Sequence, residues 1–257
     1  MISTLLFDMN DVLYSYDRSV RVTHIARICR EPGTAVAEAI WESGFEDSGD
    51  SGVMDADAYL AGFGERLGYP LTQDEWAQAL RAAVTPIDET LTLAASVRRQ
   101  ARVAVLTNNN LLVKRAVDTV FPKLRPIFGR DFFVSAEFHA RKPEPEAYLR
   151  CLARVGAAVD ATLFVDDSVK NVSGAERAGL RTSISEPRGP GEGAERRRAS
   201  LEEQDGRAGI GQEPIPGGRA QSAQIPWPAQ ARPATVLPER AKRRQPARSM
   251  NSHSHTS

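Results

Sequence analysis

From residue 86 to residue 185 the sequence alternates between segments of helical and of strand character, and this alternation is the strongest constraint on its fold. DETLTLAASVRRQ reads as helix, RVAVLT as a β-branched strand and LLVKRAVDTVF as helix. DFFVS, EPEAYLRCLARVG, TLFVDD and VKNVSGAERAGL then repeat the strand–helix pair twice, and RTSIS adds a last, weak strand. Strands separated by helices of about 10–15 residues imply βαβ units and an α/β fold whose central parallel sheet is covered on both faces. STLLFD at residues 3–8, a continuous apolar run ending in a carboxylate, reads as one more buried strand. Between it and the alternating region, residues 18–85 carry helical signals and no strand signal. SVRVTHIARI and TAVAEAIWESGF have helical apolar spacing, with Gly44 as a stop; DADAYLAGFGERLG follows, with Asp55 or Asp57 as N-cap and Gly68 as stop. Thr72 and Glu75 have capping-box spacing. The expected organisation is a core of residues 1–13 and 87–185, with an α-helical insertion at 14–86.

After Ser185 the texture changes. Residues 186–257 hold 9 of the 16 prolines, 8 of the 19 glycines and 11 arginines, but only 8 large apolar residues. Such a segment buries too little apolar surface to offset its ordering entropy and is expected to be a disordered tail. Its RRR and KRR triplets are read as solvated rather than as nucleic-acid contacts. Lys+Arg and Asp+Glu both number 33, so no overall field selects a nucleic acid or a membrane surface as partner. Cys29 and Cys151 lack metal-site spacing. The N-terminal apolar run is too short for a signal peptide or a membrane span, so a cytoplasmic location is expected.

In an open parallel sheet, functional groups gather at the carboxyl ends of the strands. Asp8 closes STLLF, Thr107 closes RVAVL ahead of Asn108, Lys142 follows DFFVS in ARKPEPEAY, and Asp166–Asp167 close TLFV. A carboxylate, a hydroxyl with amides, an ammonium and a carboxylate pair would thus meet in one crevice. Three carboxylates brought together resist ionisation unless a divalent cation joins them, and hard oxygen donors suit Mg²⁺. The set is arranged for phosphoryl transfer, with Lys142 and the cation offsetting phosphate charge and one carboxylate left as nucleophile. Taken singly, each motif is ordinary: a strand-end Asp, an Asn-rich turn, a proline-led helix start, a helix cap.

In that order, FDMNDVL, VLTNN, RKPEPEAY and FVDDSVKNVSGAERAGL resemble the four motifs of the haloacid dehalogenase-like hydrolase superfamily, over residues 1 to about 185. The resemblance implies a Rossmann-like three-layer sandwich with a mobile helical cap, and a Mg²⁺-dependent phosphatase acting on a small phosphorylated metabolite. It assigns Asp8 as nucleophile and metal ligand, with the Asn10 backbone carbonyl, Asp167 and Asp166 (directly or through water) completing the metal site. Thr107, Asn108 and Lys142 would hold the phosphate.

One position departs from the pattern. Most phosphatases of the superfamily carry a second Asp where this chain has Asn10, and an amide has no usable proton near neutral pH. Losing a general acid–base costs about 10²–10⁴ in rate. Three readings follow: a phosphatase for leaving groups that need little protonation, such as anomeric sugar phosphates or acyl phosphates; a metal-free 2-haloacid dehalogenase, against which the Asp166–Asp167 pair argues; or a low-turnover binding or regulatory protein. Asp11 is expected to point away from the site, because adjacent side chains on an extended stretch diverge. Substrate choice is expected to lie with Tyr14, Tyr16, Trp41, Phe45 and EDSGDSG (46–52). Trp41 and Phe45 read as cap core, EDSGDSG as an exposed turn and His139 as a surface loop residue.

Overall fold

The run TLLF is buried at every position because strand β1 (Thr4–Phe7) is flanked on both sides and covered on both faces. Leu5 stands opposite Val103 of β4 (Arg102–Thr107) on one side and Leu163 of β6 (Thr162–Asp166) on the other. With β5 (Phe132–Val134) and β7 (Arg181–Ile184) these form an all-parallel sheet of order β5-β4-β1-β6-β7. The computed structural model describes residues 1–185, so the expectation of a disordered tail falls outside the described residues.

Alternate residues of each strand feed two apolar layers. Leu5, Phe7, Val103 and Val105 pack with Leu91 of α6 (Asp88–Val97), the apolar face of α7 (Leu111–Val120) and Phe128 of α8 (Leu124–Phe128). Leu6, Ala104, Leu106 and Phe164 pack with Tyr148, Cys151 and Leu152 of α9 (Pro145–Val155) and with Ala175 of α10 (Val169–Arg177). The result is a Rossmann-like three-layer sandwich. Both cysteines are buried and free.

Between β1 and α6 lie five helices: α1 (Arg18–Cys29), α2 (Gly33–Ala37), α3 (Phe45–Asp50), α4 (Ala56–Arg66) and α5 (Gln73–Ala82). A π-helical turn, Glu38–Glu42, joins α2 toward α3. Asp17 caps α1, Asp55 caps α4, and Thr72 with Glu75 closes a capping box on α5. An aromatic cluster of Phe45, Tyr59, Phe63 and Trp76 holds α3, α4 and α5 together; the Phe45 and Tyr59 rings are stacked with centroids 5.2 Å apart.

Two features of this region differ from the sequence-based expectation. Its ends are strands: β2 (Tyr14–Tyr16) pairs antiparallel with β3 (Val84–Pro86), so a two-stranded ribbon joins the helices to the sandwich. Three-residue strands are too short to show a period, and a terminal proline hides one of them. EDSGDSG is not an exposed turn but largely the helix α3, entered through Gly44 at φ 75°. Gly49 lies so close to Tyr59 that a Cβ would stand 2.6 Å from its ring, and Asp50 is buried. Tertiary packing, not propensity, makes this helix.

Candidate active site

Asp8 follows directly on β1, and its N–H donates to Val165 O of the neighbouring strand, which places the carboxylate at the sheet's carboxyl edge. Asp166 ends β6 beside it. A loop from β5 carries Lys142 between them: its Nζ donates to Asp166 Oδ2 at 2.7 Å and stands 2.7 Å from Asp8 Oδ1 as an ion pair. All three are more than nine-tenths buried. Asp167 lies at the mouth, and one oxygen from each of Asp8, Asp166 and Asp167 lies within 4.8 Å of the other two. A crevice of about 290 Å³ opens here, lined among others by Asn10, Thr107, Asn108 and Asn171. The structure therefore brings together the site residues expected from sequence: Asp8, Asn10, Thr107, Asn108, Lys142, Asp166 and Asp167.

Burial, opposed by Lys142 and reinforced by Asp166, raises the Asp8 carboxyl from its ordinary 3.8 to about 6. Burial, then the charges of Asp8, Asp166 and Asp11, raises Asp167 to about 7. Burial works against the Lys142 ammonium, but Asp166 and Asp8 outweigh it and hold its pKa above the ordinary lysine value. Two carboxyls that ionise reluctantly next to a third, all with oxygen donors turned to one point, fit a hard divalent cation.

The side chains differ in how they are held. Asp166 is saturated by donors: Ser168 N–H at 2.8 Å and Asn171 Nδ2 reach Oδ1, while Lys142 and Asn171 reach Oδ2. Asn108 donates through Nδ2 to Lys142 O and accepts from Lys142 N at Oδ1, so its side chain clamps the lysine backbone. Thr107 Oγ1 accepts from Asn109 Nδ2 at 2.8 Å. Asp11 does not point away as expected: it lines the crevice, and its charge reaches Asp167. The strand ends at Phe7, Asp11 is left-handed at φ 58°, and its Oδ1 accepts from Tyr16 N–H.

Two positions were not singled out by sequence reasoning. Asn171 is the third residue of α10, after the N-cap Ser168, and an amide there would be taken for ordinary capping. Gly174 lies one turn further on, where a Cβ would come within 2.4 Å of Pro143 O; its absence lets α10 press the loop that carries Lys142 against β6.

The sequence model of the haloacid dehalogenase-like hydrolase family matches residues 2–179. The chain belongs to this family. A D-ribitol-5-phosphate phosphatase of Bacteroides thetaiotaomicron is 24% identical over 187 residues, 71% of this hydrolase and 91% of that protein. A haloacid dehalogenase family enzyme of the same organism, solved with magnesium and inorganic phosphate, superposes with a TM-score of 0.63 at 23% identity, over 73% of this chain and 96% of that one. The L-2-haloacid dehalogenase of Xanthobacter autotrophicus with covalently bound chloropropionic acid superposes at 0.54 and 18% identity, over 78% and 83%. The same fold thus carries a phosphate complex and a dehalogenase, and within this family the choice of chemistry falls to the site.

Of the residues expected to choose substrate, Tyr16 and Trp41 line a second cavity beside the crevice, with Glu46, Asp47 and Asp50 of α3. Phe45 is core, as expected; Tyr14 is buried against Phe121, its hydroxyl accepting from Lys123 N–H. His139 is exposed on its loop, as expected. Among the described residues no helix is long and apolar enough to cross a membrane.

Proposed function

We propose that this hydrolase is a Mg²⁺-dependent phosphatase acting on a small phosphorylated metabolite through an aspartyl phosphate on Asp8. The observation that carries the reading is the packing of Asp8, Asp166 and Asp167 around one point, with Lys142 between two of them. A halide-displacing site needs no acidic trio, because halide leaves without a metal or a proton. The phosphatase names of the relatives point the same way.

Asp8, the Asn10 carbonyl and Asp167 would hold the cation, and Asp166, whose oxygens already accept from Lys142, Ser168 and Asn171, would act on it through water. Bound there, Mg²⁺ neutralises charge on the carboxylates and on the incoming phosphate. Lys142 and Thr107 bind the phosphate oxygens, and Asn108 keeps Lys142 in place. An Asp8 oxygen attacks phosphorus in line; the bond to the leaving oxygen breaks, and that oxygen keeps the electron pair. Water then attacks the aspartyl phosphate, releasing phosphate and restoring Asp8. Asn10 orients the leaving oxygen without protonating it, which favours leaving groups of low basicity such as a hemiacetal or an acyl oxygen.

A phosphate-release screen over small phosphometabolites, with and without Mg²⁺, tests this reading. Metal-dependent release is expected. Metal-independent halide release from 2-haloacids, or binding with no release, overturns it.

A further inference from the structure

The second cavity, of about 250 Å³, shares Asn10, Asn108 and Arg141 with the crevice and is otherwise walled mainly by groups that phosphoryl transfer does not use. Tyr16, Arg21 and Asp50 line it, and each is more than nine-tenths buried. Each also carries polar atoms with no hydrogen-bond partner in the protein: the Tyr16 hydroxyl, Arg21 Nε and Nη2, and Asp50 Oδ1. The Arg141 Nε is in the same condition. Tyr16 and Arg21 lie beside each other without meeting hydrogen-bond geometry. Buried polar groups are ordinarily paired, so such a concentration at one cavity marks a place built for a ligand.

The chemistry of these atoms narrows the ligand. The guanidinium atoms can only donate, the phenol can do both, and a carboxyl oxygen accepts. Formal charge on the lining is even: Arg18, Arg21 and Arg141 against Glu46, Asp47 and Asp50. Ion pairs already join Arg21 to Glu46 at 3.1 Å and Arg141 to Asp47 at 2.7 Å. A second anionic group on the substrate would meet guanidinium groups already engaged by Glu46 and Asp47, and a hydrocarbon would strand every donor and acceptor. Burial, then the neighbouring Glu46, pushes the Asp50 carboxyl well above its ordinary range, which suits a neutral partner rather than a cation. Trp41 adds one flat apolar wall, onto which Arg18 and Arg21 stack at 5.7 and 5.4 Å. The volume lies just below the range usual for drug-sized ligands.

We infer that this cavity receives the leaving group, and that it selects a hydroxyl-rich one, a sugar or an alditol, through Tyr16, Arg21 and Asp50. Vicinal hydroxyls both give and take hydrogen bonds, as this lining requires. The inference rests on the phosphatase reading for the phosphate end of the substrate.

The test separates binding from turnover. Full-length Asp8→Asn protein with Mg²⁺ is titrated calorimetrically with glucose 1-phosphate, ribose 1-phosphate and ribitol 5-phosphate, and with cyclohexyl and butyl phosphate as hydroxyl-free counterparts. The best hydroxyl-bearing ligand is expected to bind about 100-fold more tightly than either counterpart. Tyr16→Phe or Asp50→Asn added to that protein should narrow the ratio roughly tenfold. Tyr16→Phe keeps the ring, so it reports even where Asp50→Asn fails to fold. Equal binding of both ligand classes, or a ratio that survives Tyr16→Phe, overturns the inference. Wild-type turnover of p-nitrophenyl phosphate reports the chemistry separately. Release of nitrophenol with no hydroxyl preference sinks the inference and leaves the phosphatase; hydroxyl preference with no release from any phosphate sinks the phosphatase and leaves the binding site.

Discussion

The crevice and the cavity beside it are both polar and buried, and they share three residues, yet they treat their polar atoms in opposite ways. In the crevice the central lysine and aspartate are held by others: Lys142 by Asp166 and Asn108, and Asp166 by Ser168 and Asn171 as well, while Asp8 Oδ1 meets Lys142 as an ion pair only. In the cavity Tyr16, Arg21 and Asp50 each keep an atom in reserve. A saturated network fixes geometry in advance, which is what a transition state requires. An unsaturated one is completed only by a ligand, which is how a site that hydrogen-bonds its substrate rejects analogues lacking those groups. The two regions also come from different parts of the chain. The crevice is built from strand ends of the sandwich, and the cavity's own walls come mainly from residues 16–50 of the helical insertion. We propose that the boundary between core and cap, near residues 13 and 87, is also the boundary between chemistry and choice.

The sharpest way to break this division is at Asp8. Asp8→Asn keeps the shape but removes the nucleophile, and turnover on every phosphate should fall by about 10⁴-fold or more. Turnover near the wild-type rate in a phosphate-release assay would mean that another group attacks. Asn10→Asp runs in the other direction. Restoring an acid should raise turnover of a simple alkyl phosphate by about 10²-fold or more, and that of an acyl phosphate much less. An equal response from both substrates would mean that the missing proton is not what limits the chain. Gly174→Ala tests whether the crevice is as rigid as its bonds imply. A Cβ 2.4 Å from Pro143 O must push the loop, and Lys142 with it. A displacement of that kind costs about 10² in kcat. It should leave the hydroxyl preference measured for the cavity in place.

Much of the crevice can be read from the sequence, because Asp8, Thr107 and Asp166 each close an apolar or β-branched run and strand ends converge in a parallel sheet. Local patterning of this kind survives folding. What cannot be read are relations between distant segments. Nothing in the triplet NNN says that Asn108 clasps the Lys142 backbone 34 residues away. The glycine in VSGAERAG looks like a weak helix residue until Pro143 lies against it. The cavity is harder still. Arg21 sits on what periodicity alone would take for an exposed helix face, and its burial depends on Trp41, Phe63 and Trp76 arriving from three other elements at 5.2–6.0 Å. The acids of EDSGDSG resemble a solvated turn because Tyr59, whose ring packs on Gly49, is encoded elsewhere.

Removing or adding the cation separates the two regions thermodynamically. In the metal-free protein Asp8 and Asp167 have folded pKa values of about 6 and about 7, above their ordinary 3.8. The folded state therefore binds extra protons across that interval, so these two groups favour folding at acid pH and lose that contribution as pH rises from about 4 through about 7. Mg²⁺ replaces the protons. At pH 8 a concentration of 100 times its Kd should add about 2.7 kcal/mol to stability, and at pH 5 protons compete and the gain shrinks. Thermal melts at the two pH values, with and without Mg²⁺, check this; a gain larger at pH 5 would mean that the cation binds elsewhere.

The smallest effect belongs to the seam between the two regions. Asp47 of the insertion reaches Arg141 of the core at 2.7 Å, but its side chain is 66% exposed, so solvent and salt screen the pair. Asp47→Ala should cost no more than about 1 kcal/mol of stability, and less at high ionic strength. The stronger tie at this seam is buried: Ser135 Oγ donates to Asp50 O at 2.7 Å while accepting from Asn109 N–H, so one hydroxyl joins the loop after β4 to the end of α3. Ser135→Ala strands both partners away from water and should cost about 1–3 kcal/mol, more than the ion pair does. If chemical denaturation ranks the two substitutions the other way round, the cap is held to the core by charge rather than by this shared hydroxyl, and the cavity's reserve of unpaired atoms would then be open to salt as well as to substrate.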